Sequence, residues 1–407
     1  MKGWKIKMSI MKTWRKQVED DIKNFGYNVD QKMYSTGFMN FDYLNGSMDY
    51  KKGEEVLYTG IDAGKIIMVV GKAGCGKSTF ALQMAGNIMQ QFTESDLCIF
   101  DFEQSHTESR IKSVTGMSEE FYNDHVIIKK VGIYTETVLK YIKQLSKFKK
   151  DHEKELCATT SDNTMPPSFV LIDSLASMRT FDYQDGDTLN GLTSGGRNAI
   201  NNKEFVNRIL QPCMEANIIV IIINHLNTNM SMGVTPPEAQ TRYLKNTEAV
   251  SGGAAVGYLC NLFIKVTAKD KLEEDKDFKI KGFKSEILIV KSRNAEAGRA
   301  LPFIYNQKEG FDPELSMFEY MKSNGLIKGA GVGLYLEGLE TTKFRMSNFK
   351  EKLATDPQFK SVFYAQCEEA LKQSVKTSSK LKREEAEELL PAQDPIETLE
   401  PNGGELE

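Results

Sequence analysis

Chemistry is densest in the run Gly71-Lys-Ala-Gly-Cys-Gly-Lys77-Ser78, which fits the pattern G-x-x-x-x-G-K-[ST]. It directly follows the apolar stretch 66–70 and opens a helical stretch at 78–91. Glycines let the backbone close tightly enough for successive N–H groups to face one anion, and a helix start adds unpaired N–H groups of its own. On this reading Gly71, Lys72, Ala73, Gly74, Cys75, Gly76, Lys77, Ser78 and Thr79 cradle the phosphates of a nucleotide. Lys77 is then expected to reach the β- and γ-phosphates, and the Ser78 hydroxyl to bind Mg²⁺. A purely structural glycine turn is the alternative.

Other chemistry-bearing residues close strand-like runs. Phe169-Val-Leu-Ile-Asp173 ends in a carboxylate roughly a hundred residues downstream of the glycine loop. Asp173 is expected to orient Mg²⁺ at the carboxyl end of its strand, where ligands of open α/β sheets collect. Hydrolysis also needs a group that orients or deprotonates water, and Cys98-Ile-Phe-Asp101-Phe-Glu103 offers two. Alternation sends Asp101 and Glu103 to the same side, so periodicity does not choose between them. Ile221-Ile-Ile-Asn224-His225 ends in a histidine placed to sense the γ-phosphate and pass that signal into the loop that follows. A surface histidine that merely ends a strand is the alternative.

For these residues to meet, their runs must lie side by side. Apolar runs at 66–70, 97–100, 126–128, 169–172 and 218–223 alternate with helical stretches. Such runs are buried on both faces, as in a parallel sheet built from βαβ units. Runs at 285–290 and 301–305 are expected to extend it. The predicted fold class is α/β, a mostly parallel central sheet flanked by helices. Ahead of it Ile10, Trp14, Val18, Ile22 and Phe25 form one apolar helical stripe, and behind it lies a small α-rich segment. The polar stretches 151–167, 178–196 and 226–253 read as long loops. The chain divides accordingly into 1–34, 35–310, 311–375, and a lysine-rich then acidic tail, 376–407, read as disordered.

Composition agrees with a folded chain: of 407 residues 40% are hydrophobic and 27% charged, which excludes wholesale disorder. The apolar run 218–223 falls far short of the ~20 residues that a membrane span needs, and the N-terminal stretch has no secretory pattern, so a cytoplasmic protein is expected. Six cysteines without a CxxC pair, and four histidines apart from them, speak against zinc and disulfides. The net charge of −4 conceals an asymmetry, since 384–407 holds nine acidic residues and no Lys or Arg. A mildly basic body with an acidic end suits a protein that meets a polyanion.

With these residues in place, the chain from about Ser35 to about residue 370 resembles the RecA family of recombinases, most closely the phage UvsX-type members. The resemblance rests on Ser35-Thr-Gly37 with Phe41-Asp42-Tyr-Leu44, the glycine loop, Asp101-Phe-Glu103, Ile-Asp173-Ser-Leu175, Ile-Asn224-His225, Val290-Lys291-Ser-Arg293 and Gly310-Phe-Asp312-Pro313. It implies a RecA-like P-loop ATPase core that uses ATP and Mg²⁺. It also implies a recombinase that polymerises on single-stranded DNA and promotes pairing and strand exchange with homologous duplex DNA. Residue by residue, Glu103 falls at the family's water-activating glutamate, His225 at its γ-phosphate switch, and Lys291 and Arg293 at the cations offered to ATP on the neighbouring subunit. Loops 178–196 and 226–253 fall at the DNA-binding loops. Arg179, Phe181, Arg197, Met230, Met232, Arg242 and Lys245 are then the candidates for holding backbone and bases. Implied partners are further copies of the chain in a helical filament, a single-strand-binding protein and a loading mediator; no membrane is implied.

The chain departs from the family's pattern in an insertion at 49–60, in Asn45 where glycine is usual, and in Ser109 and Arg110 near the position of the adenine-stacking tyrosine. Two other readings remain at this point. A hexameric DnaB-type helicase shares Lys291-Ser-Arg293-Asn294 but usually carries a larger domain than the roughly sixty residues ahead of this core. A filament scaffold without useful ATP turnover would have no need of Glu103.

Overall fold

In the computed structural model, which describes residues 32–51, 54–181, 191–228, 242–251, 255–274, 278–331 and 333–388, the apolar runs become strands of one ten-stranded sheet. They are β1 (Ile66–Gly71), β2 (Leu97–Asp101), β3 (Val126–Lys129), β4 (Ser168–Asp173), β5 (Ile218–Thr228), β6 (Glu248–Val250), β7 (Leu262–Leu272), β8 (Gly282–Ser292), β9 (Ala300–Asn306) and β10 (Gly310–Asp312). Their order is β10-β9-β8-β7-β1-β5-β4-β2-β3, with β6 paired to β5 off this path. The six strands from β7 to β3 run parallel. β8, β9, β10 and β6 are antiparallel to their neighbours.

Alternation explains why the central runs are continuously apolar. Ile67, Val69, Ile99, Leu171, Ile219, Ile221 and Ile223 enter one core, and Ile66, Met68, Val70, Phe100, Val170, Val220 and Ile222 the other. Each such side chain, fully buried, contributes about 1.5–3 kcal/mol. The first face is covered by helix α1 (Lys77–Met89) through Phe80, Met84 and Ile88, and by α2 (Glu108–Thr115) through Ile111. The second is covered by α3 (Thr135–Asp151) through Val138 and Ile142, and by α4 (Gly191–Glu215) through Phe205 and Ile209. A third core gathers Phe318, Phe344, Phe349, Phe359 and Phe363 around α6 (Pro313–Ser323) and α7 (Pro357–Glu388), against Ile304 of β9. The short helix α5 (Ala255–Leu259) precedes β7. All six cysteines are free thiols. Among the described residues no helix is long and apolar enough to cross a membrane.

Several expectations are corrected. The stretch 151–167 is not one loop, because α3 runs to Asp151 and a second helix occupies Glu153–Cys157; the segment closes on itself where Thr160 and Thr164 bond each other. Residues 191–196 belong to α4 and 226–228 to β5, which pairs back with β6, so the ends of both expected DNA loops are helix and strand; 182–190, 229–241 and 252–254 lie outside the described residues. Past residue 376, where a disordered tail was expected, α7 continues to Glu388, extending a helix already anchored by buried Leu371 and Val375 with residues of good helix propensity. β10 straddles the expected 310/311 boundary and leads straight into α6. The apolar stripe at 10–25 lies outside the described residues.

The insertion forms a hairpin, Ser47–Lys51 with Glu54–Tyr58, whose Met48 and Leu57 pack on the third core. Asn45 needs no glycine, since its φ is −90°. Its amide donates to the Gly60 carbonyl at 2.7 Å and its oxygen accepts from Ser292 at 2.9 Å.

Register fixes the site. Gly71 pairs with His225 and Asp101 with Asp173, so the carboxyl ends of β1, β5, β4 and β2 lie along one edge.

Candidate functional site

The glycine loop connects β1 to α1 at this edge. Gly76 caps the helix with φ 92°, and a Cβ there would also lie 2.9 Å from the Phe311 ring. At Gly71 a Cβ would meet the Val266 carbonyl oxygen at 2.4 Å and the Cys75 sulfur at 2.5 Å. Neither position tolerates a side chain without moving the backbone. Lys77 is only 6% exposed, and its ammonium donates to the Lys72 carbonyl at 2.8 Å, inside the loop. Burial pushes the Cys75 thiol up, which leaves it a packing group rather than a nucleophile. The first-turn N–H groups of α1 have no partner within the helix. With a buried ammonium beside them, this donor set fits a polyphosphate.

Ser78 turns its hydroxyl to the neighbouring strand and donates to Asp173 Oδ2 at 2.7 Å. A second donor reaches the same oxygen, Nε2 of His106 at 2.9 Å. Asp173 is 2% exposed, and burial alone would raise its carboxyl. The hydrogen bonds from His106 and Ser78 and the nearby Lys77 charge outweigh that and hold it below the usual range, so it is ionised. Ser78 keeps lone pairs free for a cation. Among the described residues no group of three or more His, Cys, Asp or Glu is placed to hold a metal. Mg²⁺ does not require one, since it takes one or two protein oxygens together with phosphates.

Asp101 and Glu103, inseparable by alternation, occupy different surroundings. Asp101 is fully buried and accepts the backbone N–H of Ser105 at 3.0 Å and of His106 at 2.9 Å; Lys130 stands 3.8 Å away. It holds a turn. Glu103 is about one-third exposed and faces His225, whose Nε2 lies 2.7 Å from Oε1; Ser174 donates to the same oxygen at 2.5 Å. Behind His225, Ser251 donates its N–H to the His225 carbonyl and accepts from the Asn224 amide, tying Glu103 to the foot of the 226–253 segment.

Lys291 and Arg293 are not brought to this edge. β8 runs antiparallel, and Lys291 stands level with Phe263 and hence with Met68, three residues short of Gly71 and two strands aside. The ammonium rests on the carbonyls of Gly257, Tyr258 and Cys260 at the end of α5, where a cation is favoured. Burial and the neighbouring Arg293 lower its pKa. Arg293, farther from the glycine loop again, is exposed.

Of the nucleic-acid candidates, Phe181 is half-exposed and stacks on Tyr134 with centroids 4.2 Å apart. The Arg179 carbonyl accepts from Thr135. Arg242 lies 6.0 Å over Tyr243, and Lys245 is exposed beside Glu248, which pairs with Lys265. Met230, Met232 and the Arg197 side chain lie outside the described residues.

Two features escaped the sequence reading. His106 is one. The other is a cleft of about 670 Å³ beside the loop, lined by Gly74, Lys271, Lys281, Phe283, Tyr305 and Gln307. Its Phe283 and Tyr305 rings stack at 4.4 Å and 14°. Arg110, near the expected base-stacking position, instead donates to the Tyr305 hydroxyl at 2.8 Å and to the Gln307 and Lys308 carbonyls. No protein-family model matches the chain, and no curated protein matches its sequence.

Proposed function

We propose that the chain is a DNA-dependent ATPase of the RecA recombinase type, which polymerises on single-stranded DNA with ATP and Mg²⁺ and promotes pairing with homologous duplex DNA. The observation that carries this reading is the convergence of Lys77, Ser78, Asp173, Glu103 and His225 on one sheet edge, with Lys291 and Arg293 held away from it. A phosphate-binding loop alone would support many functions. The addition of a base candidate tied to the start of the 226–253 segment supports hydrolysis coupled to what that segment binds.

In the mechanism, backbone N–H groups and Lys77 bind the phosphates and draw off developing charge. Mg²⁺, held by Ser78 and oriented by Asp173, would neutralise the phosphate oxygens. Glu103 accepts the proton of the attacking water, and Ser174 and His225 set its orientation. A bond from His225 to the γ-phosphate would compete with its bond to Glu103, and the occupancy of the site would then pass through Ser251 to the 226–253 segment. Lys291 and Arg293, remote from their own loop, are offered to a neighbouring subunit. The stacked Phe283 and Tyr305 rings, rather than the Ser109–Arg110 position, give the base an apolar wall.

The test is ATP hydrolysis with and without single-stranded DNA, for the native chain and for Lys77→Ala. The reading requires DNA-stimulated hydrolysis that is lost with the lysine. An unaltered rate in Lys77→Ala would remove the glycine loop from the mechanism.

A further inference from the structure

We propose that His106 is a positioning residue for Asp173: its imidazole fixes the carboxylate that orients the divalent cation, an inference that rests on the nucleotide reading above. The ring is 3% exposed, with Nε2 2.9 Å from Asp173 Oδ2. A proton on Nε2 makes it a donor. The backbone that carries it is pinned at both ends: its N–H donates to Asp101 Oδ2 at 2.9 Å, and its carbonyl accepts from Lys130. The chain reverses between Glu103 and His106 through Gln104, whose φ is 55°. One turn, wrapped around Asp101, thus delivers Glu103 to His225 and His106 to Asp173.

The arrangement has a physical purpose that satisfying a buried histidine would not require. Asp173 is only 2% exposed, and a buried carboxyl group needs hydrogen-bond partners that stay when the cation arrives. Ser78, its other donor here, is the group that would also face the cation. The imidazole, by contrast, is packed at 3% exposure on a backbone held by Asp101 and Lys130, so it stays beside Asp173. It therefore keeps Asp173 in one rotation whether or not nucleotide is present, as outer partners of metal-orienting groups do.

The experiment uses the full chain with Mn²⁺ as the paramagnetic probe and a slowly hydrolysed ATP analogue. It reads Mn²⁺ affinity by electron paramagnetic resonance, and metal-free nucleotide binding with a fluorescent ATP analogue in chelator. His106→Leu should weaken Mn²⁺ binding by about 10- to 100-fold while metal-free nucleotide binding stays within about twofold. His106→Gln, whose amide nitrogen can stand in for Nε2, should stay within a few-fold of the native chain. His106→Asn, whose amide stands in for Nδ1 and falls short of Asp173, should lose as much as the leucine variant. A role in satisfying burial alone would treat Asn and Gln alike, and equal Mn²⁺ affinities in those two would overturn the proposal. If His106→Leu does not fold, as judged by its thermal transition, the Asn and Gln pair still decides. Ser78→Ala separates the levels. Weak Mn²⁺ binding there with native binding in His106→Asn refutes the role of His106 alone, whereas a native chain that binds nucleotide without regard to Mn²⁺ refutes the nucleotide reading and this proposal with it.

Discussion

Replacing Glu103 by Gln and, separately, Asp101 by Asn should produce two different losses, although the residues are two apart on one strand end. Glu103 is about one-third exposed and bonds only side chains, those of His225 and Ser174, so Gln fits with little cost to the fold. It cannot accept a proton from water. Hydrolysis should fall by ~10² to 10⁴, which is about 2.7–5.5 kcal/mol of barrier, with ATP and DNA binding retained. Asp101 is buried and uses both oxygens to accept backbone N–H groups at 3.0 and 2.9 Å. Asn leaves one of those N–H groups facing an NH₂, a buried mismatch of about 1–3 kcal/mol. Its melting temperature should drop by roughly 1–4 °C, with a rate loss of no more than about tenfold. Steady-state hydrolysis on saturating single-stranded DNA, read beside the thermal transition of each variant, checks both. Abolished hydrolysis at native melting temperature in Asp101→Asn, with Glu103→Gln active, would refute the assignment of the two carboxylates.

Two further outcomes follow from particular contacts. Lys149 is buried with its amine on the Pro166 carbonyl and the Ser168 hydroxyl, and burial lowers its pKa to about 8, against smaller opposing effects of Asp96 and Cys157. Unfolding restores the ordinary lysine value, so the unfolded chain binds the extra proton between about pH 8 and 10.5 and stability gains up to about 3 kcal/mol across that window. Urea titrations at several pH values should show the stability of the native chain relative to Lys149→Met rising across this window, since the buried cysteines affect both alike; parallel curves would refute it. Lys291→Ala with Arg293→Ala should leave ATP binding by the single chain intact but remove cooperative DNA binding and DNA-stimulated hydrolysis. Mixing with Lys77→Ala, which keeps the cations, should restore hydrolysis at the variant's own site, and no rescue at any ratio would refute the action on a neighbour.

The parallel half of the sheet was legible because strands buried on both faces leave uninterrupted apolar runs, as at 66–70 and 218–223. β7 was not. Its first half is buried but interrupted by Lys265, and Lys269, Asp270 and Lys271 follow where the strand, still paired with β8, leaves the core. Lys265 is hidden for a different reason, its pairing with Glu248 on β6. The glycine loop and Asp173 were legible from local pattern. The choice between Asp101 and Glu103 was not, because β2 ends at Asp101 and the period-two rule ends with it. His106 left no trace in the sequence, since its place depends on a turn folding back around Asp101 to meet a strand 67 residues away. Helical structure at 153–157 and 376–388 was hidden by composition, as polar, highly charged residues serve exposed helices and loops equally well.

On the proposed function, ATP bound at this loop builds a filament on DNA. Negative-stain microscopy of the native chain with single-stranded DNA and a slowly hydrolysed ATP analogue, beside Lys77→Ala under the same conditions, tests it most directly. Continuous helical filaments are expected for the native chain and none for the variant. Six-membered rings, or filaments that form equally well without Lys77, would contradict it.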